Sequence, residues 1–132
     1  MSPTDAELLD AAAEAAALSY SPYSQFRVGA AILTADGQIV TGANIENAAY
    51  GATVCAETNA ITTAAATGVR RVTSVGVVCP DGTLCTPCGN CRQVMREFGV
   101  ERVVMRSSDG EVRVMTLDEL LPASFGPEAL ED

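Results

Sequence analysis

The chain contains no histidine and no tryptophan. Without histidine, a metal site has to be built from sulfur and carboxylate ligands. Basic residues are also scarce: eight Lys+Arg stand against 17 Asp+Glu, for a formal net charge of −9, and no basic run occurs. A nucleic-acid binder needs cations to meet phosphates, so duplex DNA or long RNA is not an expected partner and a small neutral substrate fits better. The plain use of the negative charge is solubility. No stretch reaches the roughly 18 apolar residues of a membrane span, and the alanine-rich run Ala11–Leu18 is short and interrupted by Glu14. The N-terminal "MSPTDAELLD" has neither a positive first segment nor an apolar one, so it does not read as a signal peptide. These absences predict a cytoplasmic protein without membrane contact, in a compartment where thiols stay reduced. The odd cysteine count, five, argues against a disulfide framework in the same direction.

What is present suits one domain over residues 1–132. Hydrophobic residues make up 48% of the chain and aromatics only 5%. That is enough for a core and too much for disorder. A slightly positive mean hydropathy in so short a chain hints at apolar surface buried against copies of itself.

Thr4 and Glu7 form a capping box ahead of Leu8, Leu9, Ala12, Ala15 and Ala16, which recur at helical spacing. After the breaker "SPYS", Val28, Ala30 and Ile32 alternate, Asp36-Gly37 supplies a turn, and residues 38–41 return as the second strand of a hairpin. An irregular loop leads to a helix over residues 55–67, stopped by Gly68. Residues 71–79 form a β-branched run suited to a strand buried on both faces. A turn-rich loop precedes a helix over 89–98, stopped by Gly99. Two strands follow, and then a short helix that Thr116 caps. The order αββαβαββ predicts an α/β fold: a mixed five-stranded sheet with helices on both faces.

Chemistry concentrates in "TVCAETNA" and "TPCGNCRQV". Cys55 opens one predicted helix, and Cys88 and Cys91 span the first turn of another. Helix N-termini carry partial positive charge, which favours the thiolate that binds metal. Three thiolates leave a tetrahedral zinc one open position, the arrangement of a catalytic rather than a structural site. Glu57, two residues after Cys55, stands close enough to move a proton for water activated by such a metal. Other readings of the cysteines remain. Cys79 and Cys85 read as small apolar residues. Cys85 and Cys88 could form a redox C-x-x-C, although Cys88 rather than Cys85 sits nearest the helix start. A closed four-cysteine zinc site would not need Glu57.

"CAE" followed by "PCGNCRQV" resembles the zinc-dependent cytidine deaminase family, in its small homotetrameric type with three cysteine ligands. The resemblance extends to "SPYSQFRVGAAI", "GANIENAAYGATVCAE" and "LLPASFGPEAL", nearly the whole chain. It implies a cytidine-deaminase-like fold and one Zn2+ per chain, held by Cys55, Cys88 and Cys91. It implies Glu57 as proton shuttle, Phe26 against the pyrimidine ring, and Asn44 and Glu46 on the ribose hydroxyl. Backbone groups near Ala56 would read the base edge, and Phe125 would close over the base, in a neighbouring subunit. The bland alternatives are core packing for Phe26, an Asx turn for Asn44, a surface carboxylate for Glu46 and a staple to the domain body for Phe125. Tyr50 either faces a pocket or packs. The implied reaction is hydrolytic deamination of cytidine and 2′-deoxycytidine, with no nucleic-acid partner and a homotetrameric assembly. A blasticidin-type deaminase and a redox or zinc-storage protein are the rivals. One departure stands out: the family commonly has arginine just after the glutamate, where this chain has Thr58. Arg92 then remains as a candidate donor to the ligand sulfurs.

Overall fold

The computed structural model describes residues 3–82 and 84–131; Thr83, inside the expected turn-rich loop, lies outside the described residues. Helix α1 spans Asp5–Ala16 and starts with the expected capping box: Glu7 N–H donates to Thr4 Oγ1 at 3.1 Å while the Glu7 carboxylate accepts from the Thr4 backbone. Strands β1 (Gly29–Thr34) and β2 (Ile39–Ala43) form the hairpin, with Gly37 at φ 90° in its turn, a conformation that favours glycine. Helix α2 spans Ala56–Ala66, β3 Val72–Val78, α3 Gly89–Glu97, β4 Arg102–Arg106, β5 Val112–Thr116 and α4 Leu117–Leu120. Short 3₁₀ turns at Tyr50–Ala52 and Pro127–Leu130 were not expected from the sequence.

The sheet order is β2-β1-β3-β4-β5. Only β3 and β4 pair in parallel, as a strand–helix–strand crossover requires. The alternation along each strand divides the core in two. Ala30, Ile32, Val103 and Met105 face α2 and α3, together with Ile61 and Met95. Ala31 and Val104 face α1 and meet Leu8, Leu9 and Ala12. Fully burying a side chain such as Ile61, 1% exposed, contributes about 1.5–3 kcal/mol. The α/β fold with helices on both faces is therefore present as expected.

Close backbone approach sets where α2 lies. A Cβ on Gly42 of β2 would sit 2.5 Å from the Ala60 backbone nitrogen, so only glycine lets the helix settle this near the strand. That contact fixes the height of the α2 N-terminus above the sheet. On the other face, Arg102 makes a two-pronged pair with Asp5 at 2.7 and 2.8 Å, clamping the start of α1 to β4. Among the described residues no helix is long and apolar enough to cross a membrane.

Candidate active site

Helices α2 and α3 begin side by side, each on a cysteine in the N-cap position. Cys55 and Cys88 have extended backbone angles there, and neither side chain bonds the first turn of its helix. The sulfurs turn toward each other instead, 3.7 Å apart. Cys91, in the first turn of α3, is buried and completes the group: the three sulfurs all lie within 4.8 Å of one another. A tetrahedral zinc with sulfur ligands at about 2.3 Å sets those ligands about 3.8 Å apart, so the donor set fits zinc in both chemistry and spacing. A hydrogen bond with Cys91 lowers the pKa of Cys55. The same bond, aided by burial, pushes the Cys91 thiol up.

Glu57 sits in the first turn of α2, 4% exposed. Burial raises its pKa, opposed by its own backbone N–H and by Cys91. A buried carboxyl in contact with a metal ligand and held above the usual carboxylate range can carry a proton and release it. Ala56, between Cys55 and Glu57, is fully buried.

Cys79 and Cys85 correct the sequence reading. They are not two spare apolar residues, because their sulfurs are joined in a disulfide across the Pro80-Asp81-Gly82 turn, which brings the Cα atoms to 5.9 Å. The pairing also removes Cys85 from any C-x-x-C with Cys88 and from a closed four-cysteine site. Cys55, Cys88 and Cys91 are the free thiols among the described residues.

The same loop is tied down next to Phe26. Arg27 pairs with Asp81 through Nε at 2.8 Å and Nη2 at 2.7 Å, and this holds the Asp81 carboxyl down to about 2. A Cβ on Gly82 would lie 2.7 Å from the Phe26 ring, so the loop packs flat against that ring. Phe26 is still 39% exposed, more than its core-packing alternative would allow. Gln25, just before it, has φ 57°, a left-handed conformation costing about 1–2 kcal/mol outside glycine. Glu46 holds that turn: its carboxylate accepts from the Tyr23 and Ser24 N–H groups at 2.9 and 3.1 Å and from the Ser24 hydroxyl, which lowers its pKa. Asn44 is buried. Its Oδ1 accepts from Val28 N–H at 2.9 Å and from the Ser19 hydroxyl, and its Nδ2 donates to the Phe26 carbonyl at 2.9 Å. Both residues thus hold the Phe26 segment, and Asn44 keeps one amide hydrogen to spare. Glu46 also lines a cavity of about 260 Å³ with Tyr23, Ser24, Asn47, Tyr50 and Thr53. A larger cavity, about 450 Å³, lies at the far end of α2 near Arg70 and Arg71 and contains none of the predicted site residues.

The tail is anchored on α3. Gln93 Nε2 donates to the Phe125 carbonyl at 2.8 Å, Arg96 Nε donates to Ser124 Oγ at 2.9 Å, and Arg96 pairs with Glu128. The Phe125 backbone is fixed to α3 while its ring stays 61% exposed. The sequence reading missed Gln93 and Arg96 as anchors of the tail. It also left Arg92 as a candidate donor to a ligand sulfur. Arg92 instead donates to the Pro87 carbonyl at 2.8 Å and the Leu120 carbonyl at 2.6 Å. The Leu120 carbonyl stands at the C-terminal end of α4, where backbone acceptors lack partners, and Pro87 lies in the irregular segment just before α3. The contact at sulfur comes from Thr58, whose Oγ1 lies 3.3 Å from Cys91 Sγ. The i, i+3 spacing of Cys55 and Thr58, which puts both on one side of α2, was the signal available.

Residues 2–107 match the family model described as the cytidine and deoxycytidylate deaminase zinc-binding region. A cytidine deaminase of Halalkalibacterium halodurans is 42% identical over 127 residues, covering 95% of this chain and 96% of that protein. One from Mycobacterium tuberculosis is 44% identical over 119 residues, covering 90% and 87%. Among solved structures, a cytidine deaminase from Burkholderia pseudomallei superposes with a TM-score of 0.88 at 42% identity, over 93% of this chain and 100% of that one.

Proposed function

The chain belongs to the cytidine deaminase family, and from that premise we propose that it hydrolyses the exocyclic amine of cytidine and 2′-deoxycytidine, giving the uridine products and ammonia. The observation that carries this reading is the meeting of three cysteine sulfurs, from the starts of α2 and α3, within 4.8 Å of one another, with the buried Glu57 in the first turn of α2. Zinc held by Cys55, Cys88 and Cys91 supplies the Lewis acidity that makes water a nucleophile near neutral pH.

Glu57 does the proton work. Its carboxylate takes one proton from the attacking water and gives it to ring N3 as C4 becomes tetrahedral. It then takes the second proton from the oxygen now bonded to C4 and gives it to the departing amine, so that the C4–N bond breaks and ammonia leaves. Its burial keeps competing water away from that carboxyl. Backbone groups around Ala56 read the base edge, and the exposed face of Phe26 packs on the pyrimidine. Asn44, through its remaining amide hydrogen, and Glu46, through its remaining lone pairs, bind the ribose hydroxyl.

The whole chain works as one such domain, in a homotetramer in which Phe125 of one subunit closes over the base held by another. Two observations favour this assembly. Phe125 is exposed on a fixed backbone. Leu18, Tyr20, Tyr23, Ile45 and Tyr50 are also exposed, with Tyr23 and Tyr50 meeting edge to face at 6.1 Å. The cavity at Glu46 is lined by none of Cys55, Cys88, Cys91, Glu57 or Phe26, so it does not by itself enclose the proposed site. A cytoplasmic location suits the three ligand thiols, which must stay reduced, and the Cys79–Cys85 disulfide runs against it.

The test is an ultraviolet assay with cytidine, 2′-deoxycytidine, cytosine and a panel of modified aminopyrimidines, run beside metal analysis and sedimentation. We expect one zinc per chain, turnover of the two nucleosides that a chelator abolishes, and a tetramer as the active species. Absence of zinc, or turnover unaffected by its removal, overturns the reading, and an active monomer overturns the shared site.

A further inference from the structure

We propose that Thr58 is a positioning residue of the zinc site: its hydroxyl donates a hydrogen bond to the Cys91 sulfur, drawing negative charge off that ligand and locking the start of α3 to the start of α2. The inference rests on the zinc-deaminase reading given above.

The direction of the bond follows from the chemistry. Thr58 Oγ1 and Cys91 Sγ are 3.3 Å apart, and either could donate if the sulfur were a thiol. A cysteine that ligates a metal has lost its proton, so the hydroxyl must be the donor. The usual competitor for a helical threonine hydroxyl is a carbonyl one turn back. Other threonines of this segment take that option: Thr62 donates to the Thr58 carbonyl at 2.8 Å and Thr67 to the Ala64 carbonyl at 2.7 Å. The carbonyl four residues before Thr58 belongs to Val54, and it already accepts the Ile45 N–H at 2.9 Å. The Thr58 hydroxyl goes to sulfur instead. Among the described residues, no other hydroxyl, amide or guanidinium side chain bonds one of the three ligand sulfurs, and Arg92 is committed to two carbonyls.

The need for a donor is electrostatic. Three thiolates around a divalent zinc leave one net negative charge in a site where Cys91 and Glu57 are both buried. A hydrogen bond to thiolate offsets part of it without adding a cation, and partners of this kind typically carry 10- to 100-fold in metal affinity. The bond also spans two helices, so it holds Cys91 in place relative to Cys55.

The test compares Thr58→Val, which keeps the shape and loses the donor, with Thr58→Ser, which keeps the donor and loses the methyl. Each purified protein is titrated with zinc against a chromophoric chelator, and with cobalt while the sulfur-to-metal charge-transfer band is followed. Thr58→Val should bind zinc about 10- to 100-fold more weakly. Its cobalt band should move to longer wavelength, because a sulfur without the hydrogen bond is easier to oxidise. Thr58→Ser should stay close to the parent in both. Thr58→Ala serves as a second donor-free variant and must shift the band the same way, whatever Thr58→Val does to folding. If the parent takes one zinc and the donor-free variants match its affinity and spectrum, the role of Thr58 is overturned while the deaminase reading stands. If the parent takes no zinc, both fall.

Discussion

Helices α1 and α4 start on threonines whose hydroxyls turn back and accept from the backbone of the first turn, at 3.1 Å in each case. Helices α2 and α3 start on cysteines whose sulfurs do not. All four starts expose the same unsatisfied N–H groups. At α1 and α4 a side chain satisfies one of them, and the helix gains about 1 kcal/mol. At α2 and α3 that gain is forgone, and the positive helix ends are left facing the sulfurs, where they favour thiolates. One position in the helix serves stability in one pair and chemistry in the other. The site is therefore built on starts that are less well capped, and Gly42, the Cys79–Cys85 bond and the Arg92 contacts supply the rigidity that capping does not.

The sharpest way to break this contrast is to turn a chemical start into a capping one. Cys88→Ser should abolish cytidine turnover and zinc retention, because a hydroxyl is a poor replacement for a thiolate ligand. In chelator, where zinc stabilises neither protein, the variant should unfold at the same temperature as the parent or higher, since serine can cap at up to about 1 kcal/mol. A variant that kept zinc and activity would remove Cys88 from the site. The reverse experiment is milder. Thr4→Ala should cost roughly 1 kcal/mol in denaturant unfolding while kcat and KM for cytidine stay unchanged. A marked loss of activity would mean that the α1 face is not independent of the site.

The smallest effect concerns pH. Arg27 beside Asp81 lowers that carboxyl to about 2 in the folded chain, below its unfolded value. A depressed carboxyl stabilises the fold above the unfolded pKa and loses that contribution as pH falls through the folded one. The stability difference between the parent and Asp81→Asn should then be flat around neutrality and shrink between about pH 4 and about pH 2. A difference that instead changed between about pH 6 and pH 8 would place the titration elsewhere. The pair is solvent-exposed, so salt should weaken the difference as well.

Much of this was legible in the chain before its fold. The capping box at Thr4, the cap at Thr116, the glycine stops at Gly68 and Gly99, and the alternation through Ala30 and Ile32 are local signals, and the elements lie within two residues of where they put them. The zinc triad was legible because cysteines at two predicted helix starts share one electrostatic environment. What was not legible depends on side chains far apart in sequence. Thr58 and Cys91 meet only because α2 and α3 pack start to start, and Arg92 points to Leu120 only because α4 returns beneath it. The Cys79–Cys85 bond depends on how tightly one turn closes, and spacing alone left it open. For Asn44 and Glu46 the sequence offered a ribose or a plain structural role, and the fold adds bonds that hold the Phe26 segment.

The claim on which the rest depends is that the buried carboxyl of Glu57 moves the protons while the three sulfurs hold the metal. The direct measurement is the turnover of cytidine by Glu57→Gln, with zinc content determined on the same sample. The account predicts one zinc per chain and a rate reduced by at least about 10²-fold, because an amide of the same shape cannot shuttle a proton. A zinc-loaded variant working at the parent rate would contradict it.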